Sequence, residues 1–178
     1  VSDKVCINLQ DISAAGKSWN MDITAAVLMD VNCGDVDALK HVCDDAHWQG
    51  AIERAYGVYT LRGKWSVSVL RQCDRCMDKF EWGIKGECAR SYAFEEPLDM
   101  EEEERADIEV VSPPGVLNLV DVLREEVWLA WKPCVICKDS CKGLCQGCGV
   151  NLNHDVCQCK GDYSDSPFAA LAKMKFDA

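Results

Sequence analysis

Residues 134–159 read CVICKDSCKGLCQGCGVNLNHDVCQC, and the way this stretch is held together governs what the rest of the chain is organised around. It contains seven of the chain's thirteen cysteines, set among glycine and asparagine with almost no large apolar side chains. Such a segment cannot fold by burying a core of its own, so something must cross-link it. Three cross-links are open: a metal ion held by thiolates, disulfides, or an iron–sulfur cluster.

Spacing separates them. Cys145-Gln146-Gly147-Cys148-Gly149 is a C-x-x-C-G knuckle, in which a turn points two thiolates at one ion and the glycine supplies the positive φ that lets backbone N–H groups face the sulfurs. Cys157 and Cys159 form a second close pair, and the two pairs complete a tetrahedral thiolate site with metal–sulfur distances of about 2.3 Å. Cys134, Cys137 and Cys141 lie just upstream and are alternates for either member of the second pair, Cys137 and Cys141 foremost. One structural zinc ion is therefore the expected cofactor, with an iron–sulfur cluster as the alternative. Cys141-x3-Cys145-x2-Cys148 also fits the three-cysteine motif of radical enzymes that use S-adenosylmethionine, but too little chain follows it and the repeating strand–helix pattern of their barrel is absent. The regular spacing of a ferredoxin is absent as well.

Outside this stretch, the totals set bounds. A chain of 178 residues that is 48% hydrophobic supports one sizeable core and a small appendage. No run of apolar residues is long enough to span a membrane, and no secretory leader stands at the start, so the chain reads as cytoplasmic, bacterial, or of the plastid stroma if a leader was removed. Thirteen cysteines in a reducing compartment favour metal ligands over disulfides, and the odd number rules out complete pairing. A net charge of −11 argues against general nucleic-acid binding, which needs clustered Lys and Arg. Any RNA contact must be local or made through a protein.

In the first fifty residues, Val5, Ile7 and Leu9 alternate weakly as a strand would, and the apolar run Met21–Val31 fits strand or helix equally. Cys6, Cys33 and Cys43 stand alone and read as small buried hydrophobes. From Gln49 the pattern sharpens. Val58–Arg62 and Trp65–Gln72 are strand-like, with Gly63-Lys64 as a turn between them. Phe80, Trp82, Ile84, Cys88, Tyr92 and Phe94 then share one parity, with Gly83 and Gly86 offering bends or bulges. An antiparallel meander is the prediction. At a hairpin end sits Cys73-Asp74-Arg75-Cys76, readable as a second metal or thiol pair or as a turn with inward cysteines; no second pair is adjacent in sequence.

Residues 95–107 form an acidic loop. Ile108–Val111 is a short strand ended by Pro113-Pro114-Gly115. Asn118 is an N-cap opening a helix over 118–131, with Leu119, Val122, Leu123, Val127 and Ala130 as its apolar stripe. Past the cysteines, Ser166-Pro167 opens a short terminal helix carrying Phe168, Leu171 and Met174. The organisation expected is a β-rich core over 1–133, a cysteine-rich metal-binding module over 134–160 and a C-terminal helix over 161–178. No nucleophile–base pair emerges: His41, His47 and His154 are scattered, and no residue is assigned catalysis.

Taken together, C-x-R-C at the end of a strand meander, the Asn118–Pro133 helix, the string from Cys141 to Asn153 (CKGLCQGCGVNLN), Cys157–Cys159 and Pro167–Leu171 resemble the YceD family, the large ribosomal RNA subunit accumulation proteins. The resemblance covers about the C-terminal two-thirds of the chain. It implies a non-enzymatic bacterial or plastid protein needed for accumulation or processing of large-subunit (23S) ribosomal RNA, with precursor ribosomal RNA or a ribosome-assembly protein as partner and no small-molecule substrate. Two departures stand out: the family's D-P-R before the last helix is here Ser166-Pro167-Phe168, and Cys134 is an extra cysteine, with Cys137 the better match to the family's upstream thiol. Some members lack the late cysteines, which implies that the metal module is a staple. The C-x-R-C turn is then the functional candidate: Arg75, with Arg71 and Lys79, makes a small basic spot suited to a phosphate or a carboxylate partner.

The fold class expected is α+β: an antiparallel or mixed sheet, with closure into a barrel left open, two helices and a C-terminal zinc knuckle. The alternatives are a thiol redox protein using Cys73 and Cys76, and a metal-stabilised adaptor between proteins.

Overall fold

A computed structural model of the protein describes residues 5–29, 41–97 and 100–159. Cys33, the last two residues of the Met21–Val31 run, residues 98 and 99 of the acidic loop and the terminal helix expected after Ser166-Pro167 lie outside the described residues.

The fold is α+β, built on a five-stranded mixed sheet. Strands β2 (Lys17–Ile23), β3 (Ala46–Ala55), β4 (Val58–Gln72) and β5 (Lys79–Ala93) pair antiparallel in chain order, and β6 (Ile108–Val110) adds to β5 in parallel. A separate antiparallel pair joins β1 (Cys6–Asn8) to β7 (Val116–Asn118), immediately before helix α3 (Leu119–Leu129). Among the described residues there are also two short α-helices, α1 (Ala25–Met29) and α2 (Glu102–Arg105), and a 3-10 turn at Leu9–Asp11. Among the described residues no helix is long and apolar enough to cross a membrane.

Among the described residues the sheet does not close into a barrel. Its order leaves β2 and β6 as edges, β6 pairs over only three residues, and β1 and β7 pair with each other instead of bridging the gap. Nor is there a turn at Gly63-Lys64: β4 runs unbroken from Val58 to Gln72, in register with β5 along its whole length, without a bulge at Gly83 or Gly86. The glycines serve packing. A Cβ at Gly50 would come within 2.6 Å of the Trp19 ring, one at Gly63 within 2.7 Å of the Trp48 indole nitrogen, and one at Gly86 within 2.7 Å of the Trp65 ring. Three indoles thus reach over positions where the neighbouring strand has no side chain, Trp19 and Trp48 meeting edge to face.

That same face carries Ile52, Leu61, Val67, Val69, Ile84, Cys88 and Tyr92 into the core, and α3 covers it with Leu119, Val120, Val122, Leu123 and Val127. The Asn118 side chain caps α3 by accepting from the Val120 N–H at 3.1 Å. Arg90 on β5 donates to both Glu125 and Glu126 on α3, and Arg124 reaches the carbonyls of Val27 and Leu28 to hold α1. The lone cysteines expected to be buried are not: Cys6 and Cys43 are exposed, because on β1 the inward place goes to Ile7 and beside Cys43 it goes to Val42. The acidic run is not loop throughout, since α2 forms a helical turn within it and Arg105 pairs with Glu96 at 3.3 Å.

The end of α3 is delivered to the far end of the β4–β5 hairpin. Arg71 stacks over Trp131 at 4.0 Å and Trp82 at 5.4 Å, and its guanidinium donates to the carbonyls of Lys132 and Pro133. The cysteine-rich stretch therefore begins beside Cys73–Cys76.

Candidate metal centres

Cys145–Gly149 turns as a knuckle. The Gly149 N–H donates to the Cys145 carbonyl at 2.9 Å with Gly149 at φ +74°, the Cys145 N–H donates to the Val150 carbonyl at 2.8 Å, and the Gly147 N–H points at the Cys145 sulfur at 3.4 Å. Cys157 and Cys159 come back over it. The Cys157 sulfur lies 3.6 Å from that of Cys148 and 3.1 Å from that of Cys145, and the Cys159 N–H donates to the Cys157 sulfur at 3.2 Å. All four sulfurs lie within 4.8 Å of one another. Cys148 and Cys159 face solvent and the other two are half-buried.

Cys137 and Cys141 go elsewhere. Their sulfurs join those of Cys73 and Cys76 in a second quartet, also within 4.8 Å of one another. Cys73 faces Cys141 at 3.8 Å and Cys76 faces Cys137 at 3.7 Å. Sequence spacing offered Cys73–Cys76 no adjacent second pair; in space that pair is supplied from beyond α3. Reciprocal bonds fix the approach: the Asp74 N–H donates to the Val135 carbonyl at 2.9 Å, while the Val135 N–H donates to the Asp74 carboxylate at 2.6 Å. The Leu144 N–H donates to the Arg75 carbonyl at 2.9 Å, and the Asn151 amide donates to the Cys76 carbonyl and the Asp78 carboxylate. Among the described cysteines, Cys6, Cys43, Cys88 and Cys134 belong to neither quartet.

The thiols within each quartet are forced apart in acidity. Burial pushes the Cys73 thiol up, yet backbone N–H bonds from Cys137, Arg75 and Cys76 outweigh it and bring it down to about 6. A hydrogen bond from Asn153 lowers Cys141, whereas burial raises Cys137. Cys76 is raised despite the Asp78 N–H, through burial and the neighbouring thiols. In the other quartet the Cys148 N–H leads in holding Cys145 down at about 6, while the hydrogen bond shared with Cys148 leads in pushing Cys159 up to about 12. In both quartets hydrogen bonds to sulfur lower one thiol, while burial and the neighbouring thiols raise another. A divalent cation at the centre reverses that logic and lets all four ionise together.

The three cations of the expected basic spot divide. Arg71 is committed to Trp131 and the Lys132 and Pro133 carbonyls, so it serves as a structural latch. Arg75 and Lys79 are exposed. His154 has a carboxylate partner: its Nε2 lies 2.9 Å from Asp78, which also accepts from the Cys76 thiol at 3.4 Å. That arrangement does not make Cys76 a nucleophile, since its thiol is buried and its acidity is weakened rather than enhanced. His47 pairs with Asp22 at 2.8 Å on the sheet.

A family model described as large ribosomal RNA subunit accumulation protein YceD matches residues 61–175. Over 65 residues the chain is 32% identical to the large ribosomal RNA subunit accumulation protein YCED homolog 1, chloroplastic, of Arabidopsis thaliana; the match covers 35% of this chain and 20% of that protein, so the chain spans about a fifth of the relative's length. No solved structure matches.

Proposed function

The chain belongs to the YceD family, and from that premise we propose that it is a non-enzymatic ribosome-biogenesis factor needed for the accumulation or processing of large-subunit (23S) ribosomal RNA. It acts by binding, either to precursor ribosomal RNA or to a ribosome-assembly protein, in the cytoplasm of a bacterium or in the plastid stroma. The observation that carries this reading is the family match over residues 61–175.

The contact surface we assign is the exposed pair Arg75 and Lys79 at the hairpin end, a local cationic point on a chain of net charge −11. Zinc held by Cys145, Cys148, Cys157 and Cys159 is the structural staple of the cysteine-rich stretch. The thiol redox alternative fares worse. Cys73 and Cys76 are buried, whereas a thiol that attacks external disulfides must be partly exposed. An adaptor contacting only proteins gains nothing specific from the geometry.

The test is a sucrose-gradient profile of ribosomal particles from cells lacking the gene, with the sedimentation of the protein followed in normal cells. A selective shortage of large subunits, with the protein travelling on their precursors, is the expected result. A normal profile overturns the reading.

A further inference from the structure

The hairpin end between β4 and β5 reproduces the Cys145 knuckle bond for bond. In the knuckle, the first cysteine's N–H donates to the carbonyl five residues on, at 2.8 Å from Cys145 to Val150; at the hairpin, Cys73 donates to Asp78 at 2.9 Å. The residue after the second cysteine donates back to the first cysteine's carbonyl in both, Gly149 to Cys145 and Met77 to Cys73, each at 2.9 Å. The N–H two residues on faces the first sulfur in both, from Gly147 at 3.4 Å and from Arg75 at 3.5 Å. The residue after the second cysteine has positive φ in both, +74° at Gly149 and +64° at Met77. A methionine thus occupies the place where a metal knuckle ordinarily carries glycine, which is why the string Cys73-Asp-Arg-Cys76-Met77 does not announce itself.

Sulfur geometry fits an ion better here than at the exposed quartet. Four sulfurs at about 2.3 Å from one tetrahedral ion are separated by about 3.8 Å along each edge. The two recorded separations in the hairpin quartet are 3.8 and 3.7 Å, against 3.6 and 3.1 Å in the other. A disulfide needs sulfurs at about 2.05 Å, far closer than either hairpin pair. Hydrogen bonds to sulfur are already in place, from the backbone of Arg75 and Cys137 to Cys73 and from the Asn153 amide to Cys141, as thiolate ligands require. Three of the four cysteines are at most 2% exposed, and they cluster apart from the main hydrophobic core. Four thiols gathered away from that core, with donors aimed at their sulfurs, are poor packing and a good ligand cage.

We propose that Cys73, Cys76, Cys137 and Cys141 hold a second tetrahedral thiolate metal ion, Zn²⁺ by ligand chemistry, that clasps the cysteine-rich module to the end of the sheet. The protein then carries two ions, one buried at the junction and one exposed within the module. The inference stands independently of the ribosomal reading, because it is decided by counting metal.

The experiment uses the full chain. Metal content by mass spectrometry, followed by titration of the reduced, metal-free protein with Co²⁺ while watching the thiolate charge-transfer and visible bands of tetrahedral cobalt, is expected to give two equivalents. A Cys137→Ser, Cys141→Ser variant should keep one equivalent, as should Cys157→Ser, Cys159→Ser; Cys134→Ser should keep two. If the hairpin-quartet variant precipitates, the wild-type count still decides, and a cadmium-113 spectrum of the wild-type protein should then show two resonances in the tetrathiolate region. One equivalent in the wild-type protein, or two in the Cys137→Ser, Cys141→Ser variant, overturns the proposal.

Discussion

Met77 is the residue on which the reading of the hairpin turned. Its φ of +64° lies in the left-handed region, where a Cβ crowds the following carbonyl and costs roughly 1–2 kcal/mol. Glycine escapes that cost but gives back part of the gain through its freer unfolded chain. Met77→Gly is accordingly expected to stabilise the metal-loaded protein by up to about 1 kcal/mol, and Met77→Val to destabilise it by about 1–2 kcal/mol, in urea melts. A loss of stability in the glycine variant would mean that the half-exposed methionine side chain contributes packing that outweighs the strain. The sequence could be read at Gly149, where the residue type matches the conformation, and not at Met77, where neighbours impose the same conformation on a residue that disfavours it. Arg71 marks the opposite failure. Its charge was legible, but its engagement with Trp131 and two carbonyls depends on where α3 ends in space.

At the scale of elements, α3 was legible almost residue by residue, because its stripe and its Asn118 cap are local signals. The strand break placed at Gly63-Lys64 was wrong for a nonlocal reason: the glycine answers to Trp48 on the adjacent strand. The same kind of cross-element contact holds α3 to the sheet. Arg90 donates to Glu126, whose side chain is 15% exposed, and to Glu125, whose side chain is 61% exposed. Removing Arg90 strands the half-buried Glu126 carboxylate, so Arg90→Met should cost about 2 kcal/mol in chemical denaturation. Glu125→Ala should cost less than about 1 kcal/mol, since its carboxylate sits in water and is screened. Equal losses from the two variants would show that the pairing energy is not set by burial.

For the whole molecule, the sheet and α3 share one core and the hairpin quartet lies apart from it. Chelation of both metals should therefore leave the β-sheet circular dichroism in place while residues 134–159 become open to protease; loss of the sheet signal together with the module would make the chain one cooperative unit. The core also predicts an alkaline limit. Burial pushes the Tyr92 phenol up to about 12 from its ordinary 10, so the native state keeps a proton that the unfolded chain gives up first. Stability from this group is complete below about pH 10, falls by about 1.4 kcal/mol per pH unit above it and is lost as pH passes about 12. Tyr92→Phe should lose less stability than the parent over that window, and parallel curves for the two would remove Tyr92 from the account. Strand identity between Val58 and Phe94 was readable from alternation, but sheet order, the open edges and the pairing of cysteines across α3 are long-range outcomes that no local pattern encodes. That pairing also imposes a timetable on synthesis. Cys76 and Cys137 lie 61 positions apart, so at about 5–20 residues per second the hairpin thiols wait about 3–12 s for their partners to leave the ribosome, whereas the exposed quartet, compact in sequence, is complete almost as soon as it emerges.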